Sequence, residues 1–283
     1  MLITSKELLL DAQKCGYAVG AFNVENMEMV MAVLAAAEET GSPVIMQTTP
    51  GTVRYAGLDF YLANIRAAAE RTRIPVVCHL DHGNSFELAC AAFRTGYTSI
   101  MIDGSKKPFE ENIALTRSVA DVCHAGGIPV EGELGKVGGK EDDLDNGSGI
   151  NPYTDPAEAA EFVERTGVDS LAVGIGTSHG VYKGIPKVRV DVLSAIREVV
   201  SIPLVLHGTS GVPDEQVRDC VSRGICKVNY ATDLRIAYTR GLKAHIEEHP
   251  DDFDPKKYSA PAMLEVKKYV MQKMEVVGSC GRG

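Results

Sequence analysis

Histidines at three distant points of the chain each follow a short apolar run and directly precede a glycine. They are His82, His179 and His207, in the segments His-Leu-Asp-His-Gly, Ser-His-Gly and Leu-His-Gly. Three neutral imidazoles suit a catalytic zinc ion that keeps one coordination position for substrate. A core histidine bonded to backbone groups is the alternative at any one position, but three such pairs favour a shared metal site. His79 lies further back in its run and is expected to support the site from below.

Carboxylates occur at the same kind of position. Asp81 directly precedes the first of these histidines, Asp103 follows an apolar run, and Glu133 follows Val130-Glu131-Gly132. Each could be a general acid/base, a partner that orients a metal-bound imidazole, or a metal ligand. A strand-end cap without a chemical role is the alternative for any one of them. We assign Asp81 to proton transfer, and Asp103 and Glu133 to the metal.

Two turns near the end of the chain are rich in glycine and small polar residues. Backbone N–H groups at such turns, together with a helix N-terminus, form an anion cradle that needs no net positive charge on the protein. The segments predict a phosphate site built from Gly208, Thr209, Ser210, Asn229, Tyr230, Ala231 and Thr232.

Eight apolar, β-branched runs alternate with segments of helical period such as Met27–Glu39, Phe109–Ala125 and Asp191–Val200. This alternation indicates parallel strands joined by right-handed crossovers, and eight such units close into a barrel whose strand ends share one face. We predict an α/β protein, a single (β/α)8 TIM barrel over residues 1–283 with extra C-terminal helices; a doubly wound open sheet is the alternative. The predicted strands are Val19–Phe22, Val44–Gln47, Val76–Leu80, Ser99–Ile102, Val130–Gly132, Ser170–Val173, Leu204–Leu206 and Lys227–Tyr230.

Composition limits the partners. The 283 residues carry a formal net charge of −9 without a long Lys/Arg cluster, which argues against nucleic acid or an anionic membrane surface. No apolar run approaches a membrane span of roughly 18 residues, and the start lacks the pattern of a secretory signal. The seven scattered cysteines fit reduced thiols. We expect a cytoplasmic protein. Two long connections, Gly135–Ile150 and Gly176–Pro186, are expected to cover substrate, the first as a mobile loop.

Taken together, the motifs closely resemble the class II aldolases, in the branch that contains tagatose-bisphosphate and fructose-bisphosphate aldolases. The resemblance covers nearly the whole chain. The matching segments are His79–His82, Met101–Asp103, Glu131–Gly135 with Gly138–Asp142, Ser178–Gly180, Leu206–Gly208 and Lys227–Asn229.

The resemblance implies a zinc-dependent lyase. It implies that Zn²⁺ on His82, His179 and His207 stabilises the enediolate of a phosphorylated ketose, with Asp81 as proton donor. Dihydroxyacetone phosphate would be held by Gly180 and by the two turns, with a monovalent cation (Na⁺ or K⁺) near the phosphate. Asp103 and Glu133 correspond to positions that touch a shifted metal. Glu141 matches a loop glutamate that acts as acid/base, and Lys183 adds a positive charge nearby.

Three residues near the eighth strand bear on which sugar is cleaved. Fructose-type members read Asn-x-Asp-Thr-Asp after the eighth strand, whereas this chain has Ala231 in place of the first aspartate. The change affects recognition around C4, where tagatose and fructose differ, and favours tagatose 1,6-bisphosphate over fructose 1,6-bisphosphate. Arg235 could serve a second phosphate in either enzyme, and Tyr230 departs from the family pattern.

Several alternatives stay open from the sequence. They are an aldolase for another phosphorylated ketose, a metal-dependent hydrolase on the same barrel, and a noncatalytic sugar-phosphate binder. Lys227 is interpreted as beginning its strand at the wrong face for a Schiff base, which argues against class I chemistry. A homodimer or homotetramer is expected.

Overall fold

The structure is a computed structural model that describes the backbone of residues 1–135, 138–141, 144–146, 153–182, 184 and 186–283. The side chains of residues 136–152, 183 and 185 lie outside the described part. The strands are β1 Val19–Asn23, β2 Val44–Thr48, β3 Val76–Gly83, β4 Ser99–Ile102, β5 Val130–Leu134, β6 Gly138–Glu141, β7 Leu144–Asn146, β8 Ser170–Val173, β9 Ser178–His179, β10 Leu204–Leu206 and β11 Ile225–Tyr230.

Eight of these strands close into a parallel barrel. Its order around the circle is β1, β2, β3, β4, β5, β8, β10 and β11, and β11 pairs with β1 through the register Val19–Lys227 to Phe22–Tyr230. Each strand therefore pairs with the next barrel strand along the chain, as expected when crossover helices cover the outside of the sheet. The predicted (β/α)8 barrel and its eight strands are confirmed, and the open sheet is excluded.

Helices surround the barrel, and the first of them packs through Leu8, Leu9 and Ala12 against Val19, Ala21, Ile45 and Val77 at the amino-terminal end of the strands. The helices are α1 Ser5–Cys15, α2 Met27–Thr40, α3 Pro50–Ala56, α4 Leu58–Glu70, α5 Phe86–Thr95, α6 Phe109–Ala125, α7 Pro156–Thr166, α8 Val190–Val199, α9 Asp214–Ser222, α10 Thr232–Glu248 and α11 Pro255–Val276.

Helix α2 shows how the sequence sets such an element. The Asn26 side chain caps its start by accepting a hydrogen bond of 2.8 Å from the Met29 N–H, and Gly41 ends it in a left-handed conformation. Apolar Met29 and Val33 are buried against the barrel.

The two C-terminal helices pack on each other, and α11 also packs on α2. The predicted helix near Asp233–Glu248 corresponds to α10, while α11 begins at Pro255, five residues before its predicted start. Asp254 explains the earlier start, because its side chain accepts a hydrogen bond of 3.1 Å from the Lys256 N–H. Within the described residues, no helix is long and apolar enough to cross a membrane.

A second, small sheet lies beyond the carboxyl end of β5. Strand β6 pairs antiparallel with β7 and parallel with β9, where Gly139 lies opposite His179. The long connection after the fifth barrel strand is thus joined by backbone pairing to the segment that carries a predicted metal ligand.

Candidate active site

His82 reaches the barrel mouth through an irregularity in β3. Regular alternation along a strand would direct His79 and Asp81 to one face and His82 to the other. The pairing of β3 with β4 shifts register between Leu80 and Gly83, and His82 has a φ of 49°, in the left-handed region that non-glycine residues rarely adopt. Consecutive residues Asp81 and His82 can therefore both serve the same site, and such strain is typical of functional positions.

The three predicted zinc ligands converge. One nitrogen from each of His82, His179 and His207 lies within 4.8 Å of the others, and all three side chains are buried. The ring centroids are 4.7 Å apart for His82 and His207, 4.8 Å for His82 and His179, and 6.1 Å for His179 and His207. The convergence of residues that lie far apart along the chain follows from barrel closure.

Carboxylates hold the outer nitrogens of two of these rings. His82 Nδ1 donates to Asp103 Oδ2 at 3.0 Å, and His207 Nε2 lies 2.8 Å from Glu131 Oε1. The inner nitrogens, His82 Nε2 and His207 Nδ1, face each other at 2.9 Å, and His179 Nδ1 has no hydrogen-bond partner among the described residues. Imidazoles fixed from behind by carboxylates are typical of zinc sites, so these residues fit a bound zinc ion.

Asp103 and Glu133 lie beside His82, as predicted for residues that serve the metal. With His82 they form a second group close enough to hold an ion, and Glu133 Oε2 is 3.7 Å from His82 Nδ1. Burial, followed by the neighbouring Asp103 carboxylate, raises the pKa of Glu133 well above its usual range. Burial acts in the same direction on Asp103, but the hydrogen bond and charge of His82 together with the hydrogen bonds from Ser105 outweigh it and lower the pKa of Asp103.

Three side-chain amides surround Asp81. Its Oδ2 accepts from Asn23 Nδ2 at 2.9 Å and Gln47 Nε2 at 3.2 Å, while its Oδ1 accepts from Asn229 Nδ2 at 3.1 Å. Burial opposes ionisation, yet the charge of His82 and those of His207 and Lys227 lower the pKa of Asp81 to about 2. Asp81 is therefore an ionised, oriented carboxylate at neutral pH, suited to accept a proton. Asn23 and Gln47 were missed by the sequence reasoning.

Lys227 is the third residue of β11 rather than the first, as the sequence suggested, but it does not lie at the carboxyl end of the strand. Its side chain is buried inside the barrel with 1% of its surface exposed, and its Nζ is 2.9 Å from Glu131 Oε2. His79 lies in the same interior layer, 3.8 Å from Glu131, and bonds to Ser99 Oγ at 2.7 Å. His79 thus lies beneath the three histidines, as expected, whereas Glu131 and Lys227 were missed as parts of the site.

The predicted phosphate turns lie side by side at the mouth. Gly208 has a φ of 64°, and a Cβ atom there would come within 2.9 Å of the Ser178 backbone, which explains the glycine. Ser210 Oγ accepts from the backbone N–H groups of Ala231 and Asp233, both at 3.4 Å. The start of α10 is thereby tied to the Gly208–Gly211 turn.

A cavity of about 420 Å³ opens at this junction. Gly180, Ser210 and Thr232, three of the predicted phosphate residues, line it together with Tyr182. The Tyr182 hydroxyl accepts from the Ser178 N–H at 2.6 Å and donates to the Gly208 carbonyl at 2.7 Å. Tyr182, which the sequence reasoning missed, therefore joins the His179 segment to the phosphate turn. Thr209 binds through its hydroxyl to the Asn229 carbonyl.

Three further predicted residues differ in placement. The side chain of Tyr230 points out of the barrel and stacks on Phe22 with ring centroids 5.6 Å apart, so its backbone alone remains a candidate for substrate contact. Ala231 is buried and precedes α10 directly. Arg235 lies in the first turn of α10 and binds Glu25 Oε1 at 2.6 Å. It lines a cavity of about 670 Å³ beside Thr232.

Two predicted site residues are not placed. The backbone of Glu141 ends β6, but its side chain lies outside the described residues, as does Lys183.

Comparison with known proteins supports one family over the full length. The family model for class II fructose-bisphosphate aldolase matches residues 3–282. The D-tagatose-1,6-bisphosphate aldolase subunit GatY of Klebsiella oxytoca is 45% identical over 281 residues, which are 99% of each chain.

Solved structures agree with this match. The YdjI aldolase from Escherichia coli K12 has a TM-score of 0.87 and 39% identity, covering 100% of this chain and 99% of that one. A protein from Coccidioides immitis, described as a putative fructose-1,6-biphosphate aldolase, has a TM-score of 0.90 and 30% identity, with 98% and 96% covered. The fructose-bisphosphate aldolase of Campylobacter jejuni has a TM-score of 0.84 and 25% identity, with 100% and 97% covered.

Proposed function

Because the chain belongs to the class II fructose-bisphosphate aldolase family and is accordingly a lyase that acts on phosphorylated ketoses, we propose that it cleaves tagatose 1,6-bisphosphate reversibly to dihydroxyacetone phosphate and glyceraldehyde 3-phosphate. The observation that carries the proposal is the meeting of three buried histidines with an ionised aspartate beside a glycine-rich cavity. The chain acts as one barrel domain over residues 1–283.

His82, His179 and His207 would hold the zinc ion. Their support from Asp103 and Glu131, together with the unpartnered Nδ1 of His179, is the basis for this assignment. When bound, the metal supplies Lewis-acid stabilisation of the negative charge that develops on the ketose oxygens.

Asp81 moves the proton of the C4 hydroxyl. In cleavage its carboxylate takes this proton as the C3–C4 bond breaks and the aldehyde forms, and in condensation it returns the proton to the aldehyde oxygen. Asn23, Gln47 and Asn229 fix both carboxylate oxygens, so Asp81 presents its remaining lone pairs in one orientation. Glu141 would then move the proton at C3 of dihydroxyacetone phosphate.

The turns at the barrel mouth bind the phosphate of dihydroxyacetone phosphate. Gly180, the segment Gly208–Ser210 and the segment Asn229–Thr232 supply backbone N–H groups and hydroxyls around the cavity, and the N-terminus of α10 adds its dipole. Lys183 and a monovalent cation, Na⁺ or K⁺, would add positive charge. Arg235, held by Glu25, would face the second phosphate.

Tagatose bisphosphate is favoured over fructose bisphosphate for two reasons. Ala231 lacks the carboxylate that fructose-type members carry, and the relative with 45% identity is a tagatose-bisphosphate aldolase subunit. A symmetric dimer or tetramer and a cytoplasmic location remain predictions from the sequence.

A coupled cleavage assay on tagatose and fructose 1,6-bisphosphates, with and without a chelator, tests the proposal. We expect dihydroxyacetone phosphate to form faster from the tagatose ester, activity to disappear with the chelator, and zinc to restore it. A higher kcat/KM for the fructose ester would overturn the choice of sugar. Release of inorganic phosphate without a triose phosphate would instead indicate a hydrolase, and chelator-resistant cleavage would reject the metal.

A further inference from the structure

A charged layer lies inside the barrel directly beneath the three histidines. Its members are His79 on β3, Glu131 on β5 and Lys227 on β11, each with at most 2% of its surface exposed. Family membership explains the histidines above this layer. It does not by itself explain why a lysine and a glutamate are buried below them.

Glu131 and Lys227 form an ion pair across the barrel. Glu131 Oε2 is 2.9 Å from Lys227 Nζ, and the strands that carry the two residues lie on opposite parts of the closed sheet. An ion pair in such a place is weak evidence for a role in stability, because desolvation of two charges can exceed their attraction. A function at the adjacent site is therefore the better explanation for the pair.

The second oxygen of Glu131 contacts a metal ligand. Glu131 Oε1 is 2.8 Å from His207 Nε2, while His207 Nδ1 faces His82 Nε2 at 2.9 Å. Glu131 Oε2 is held by the Lys227 Nζ ammonium, so Glu131 is present as a carboxylate. A carboxylate can only accept, so the proton of a neutral His207 must be on Nε2.

Two other neighbours cannot set this choice. Asn229 Nδ2 is 3.2 Å from His207 Nε2 and has a second N–H besides the one that it donates to Asp81, but it is farther away than the charged Glu131, whose oxygen at 2.8 Å requires a donor. His79 bonds through Nδ1 to Ser99 Oγ, and burial together with the charge of Lys227 lowers its pKa to about 3, so it is neutral.

We propose that the buried Glu131–Lys227 pair is a positioning element that holds His207 in the Nε2–H tautomer and presents Nδ1 to the metal. Lys227 keeps Glu131 in place as an acceptor, and Glu131 fixes the ring and its tautomer. The expected effect on zinc affinity rests on the metal site of the proposed function. The tautomer of His207 does not depend on that site binding zinc.

The tautomer can be measured without metal or substrate. The zinc-free wild-type protein would be labelled with ¹⁵N-histidine and its long-range ¹H–¹⁵N correlations recorded above the ordinary pKa of histidine. A His207→Gln variant identifies the His207 signals. We expect a protonated Nε2 and an unprotonated Nδ1; a protonated Nδ1 would overturn the inference even if the protein proves to bind no zinc.

Two double variants test the role of the acceptor. Both E131Q/K227M and E131L/K227M remove the buried charges, but glutamine can still accept from His207 Nε2 whereas leucine cannot. Zinc affinity would be measured by competition with a chromophoric chelator. We expect the glutamine variant to stay close to wild type, and the leucine variant to lose ~10–100-fold, the usual effect of removing a partner behind a metal-bound histidine.

Lys273→Met is a matched control. Lys273 is also mostly buried and pairs with a carboxylate, Asp214, at 2.6 Å, but this pair does not contact the three histidines. We expect its zinc affinity to equal that of wild type. Equal zinc affinity of the two double variants would overturn the proposal. A loss of zinc affinity in Lys273→Met as large as that of E131L/K227M would overturn it as well. If a double variant fails to fold, the wild-type tautomer still decides the question.

Discussion

Replacing Asp81 with asparagine is expected to slow proton transfer at C4 strongly while leaving the metal site intact. A general acid/base contributes ~10²–10⁴-fold to a rate, so kcat should fall by that factor, equivalent to about 3–5 kcal/mol of activation free energy. Zinc content should not change. Asp81 Oδ1 is 4.0 Å from His82 Nε2, and the other nitrogen of that ring is held by Asp103.

The same substitution has a cost in stability that the structure specifies. Asp81 accepts hydrogen bonds from Asn23, Gln47 and Asn229, whereas asparagine offers one oxygen and one NH₂ group. At least one of the three donors therefore loses its acceptor, which costs about 1–3 kcal/mol when the group is buried. Urea denaturation of the two proteins measures this difference independently of activity.

Two assays separate the possible roles of Asp81. The first is the coupled cleavage of tagatose 1,6-bisphosphate. The second is exchange of the C3 hydrogen of dihydroxyacetone phosphate with deuterium from the solvent, a step that does not involve the C4 hydroxyl. Asp81→Asn should lose cleavage and keep exchange. Cleavage within tenfold of the wild-type rate would remove Asp81 from its assigned role, and loss of bound zinc would make it part of the metal site.

Asp103→Asn is the informative comparison. Asp103 holds His82 Nδ1, so its replacement should weaken zinc binding by ~10–100-fold, and activity should return at higher zinc concentrations. Asp81→Asn should not respond to added zinc. A rescue of Asp81→Asn by zinc would contradict the division of roles between the two aspartates.

Three further predictions use other parts of the site. Glu141→Gln should keep its zinc and lose deuterium exchange, and exchange at the wild-type rate would exclude Glu141 from this step. Deletion of 138–143 is a poorer test because it removes β6, which pairs with the backbone of His179. Ala231→Asp should shift the ratio of kcat/KM for fructose 1,6-bisphosphate to kcat/KM for tagatose 1,6-bisphosphate by ~10–100-fold in favour of fructose, which is the effect of one hydrogen bond to a charged group. An unchanged ratio would mean that residue 231 does not distinguish the two configurations at C4. Zinc at ~1,000 times its Kd should stabilise the folded protein by about 4 kcal/mol, seen as a higher Tm in calorimetry, and no shift would indicate that the site does not bind it.

Much of the fold could be predicted because the signals are local. Apolar runs and helical periods along the chain define all eight barrel strands, and alternation of strand and helix implies parallel pairing. Histidines that directly follow such runs must then meet at one face. Helix boundaries were predicted less well: α11 begins at Pro255 rather than near Ala260, because Asp254 caps its start, and this cap was overlooked in the sequence.

The interior of the barrel could not be predicted in the same way. Glu131 and Lys227 lie on strands that are distant in sequence, and their contact exists only because the sheet closes. A signal was nevertheless present. Polar residues recur two positions apart in three strands, at His79 and Asp81, at Glu131 and Glu133, and at Lys227 and Asn229, and this is the spacing of side chains that share the inner face of a strand. Polar residues at every second position of these strands would have indicated two polar layers inside the barrel.

Other features depend on distortions that the sequence does not display. His82 belongs to the outward set by alternation, and it serves the site because β3 shifts register and His82 adopts a positive φ. Tyr182 is an ordinary aromatic residue in a loop by sequence, and its two backbone hydrogen bonds require the fold to bring Gly208 beside Ser178.

The two interior layers differ in charge balance, and this difference bears on the metal. In the described interior, Lys227 offsets Glu131 in the lower layer, while Asp81, Asp103 and Glu133 lie together in the upper layer beside the histidines. Buried carboxylates without a counter-charge are costly, and imidazoles in the neutral form that binds a metal do not provide one. A divalent ion on three neutral ligands would supply the missing positive charge where a phosphorylated ketose carries its own negative charge. A chain with a net charge of −9 can thus bind an anionic substrate through local groups.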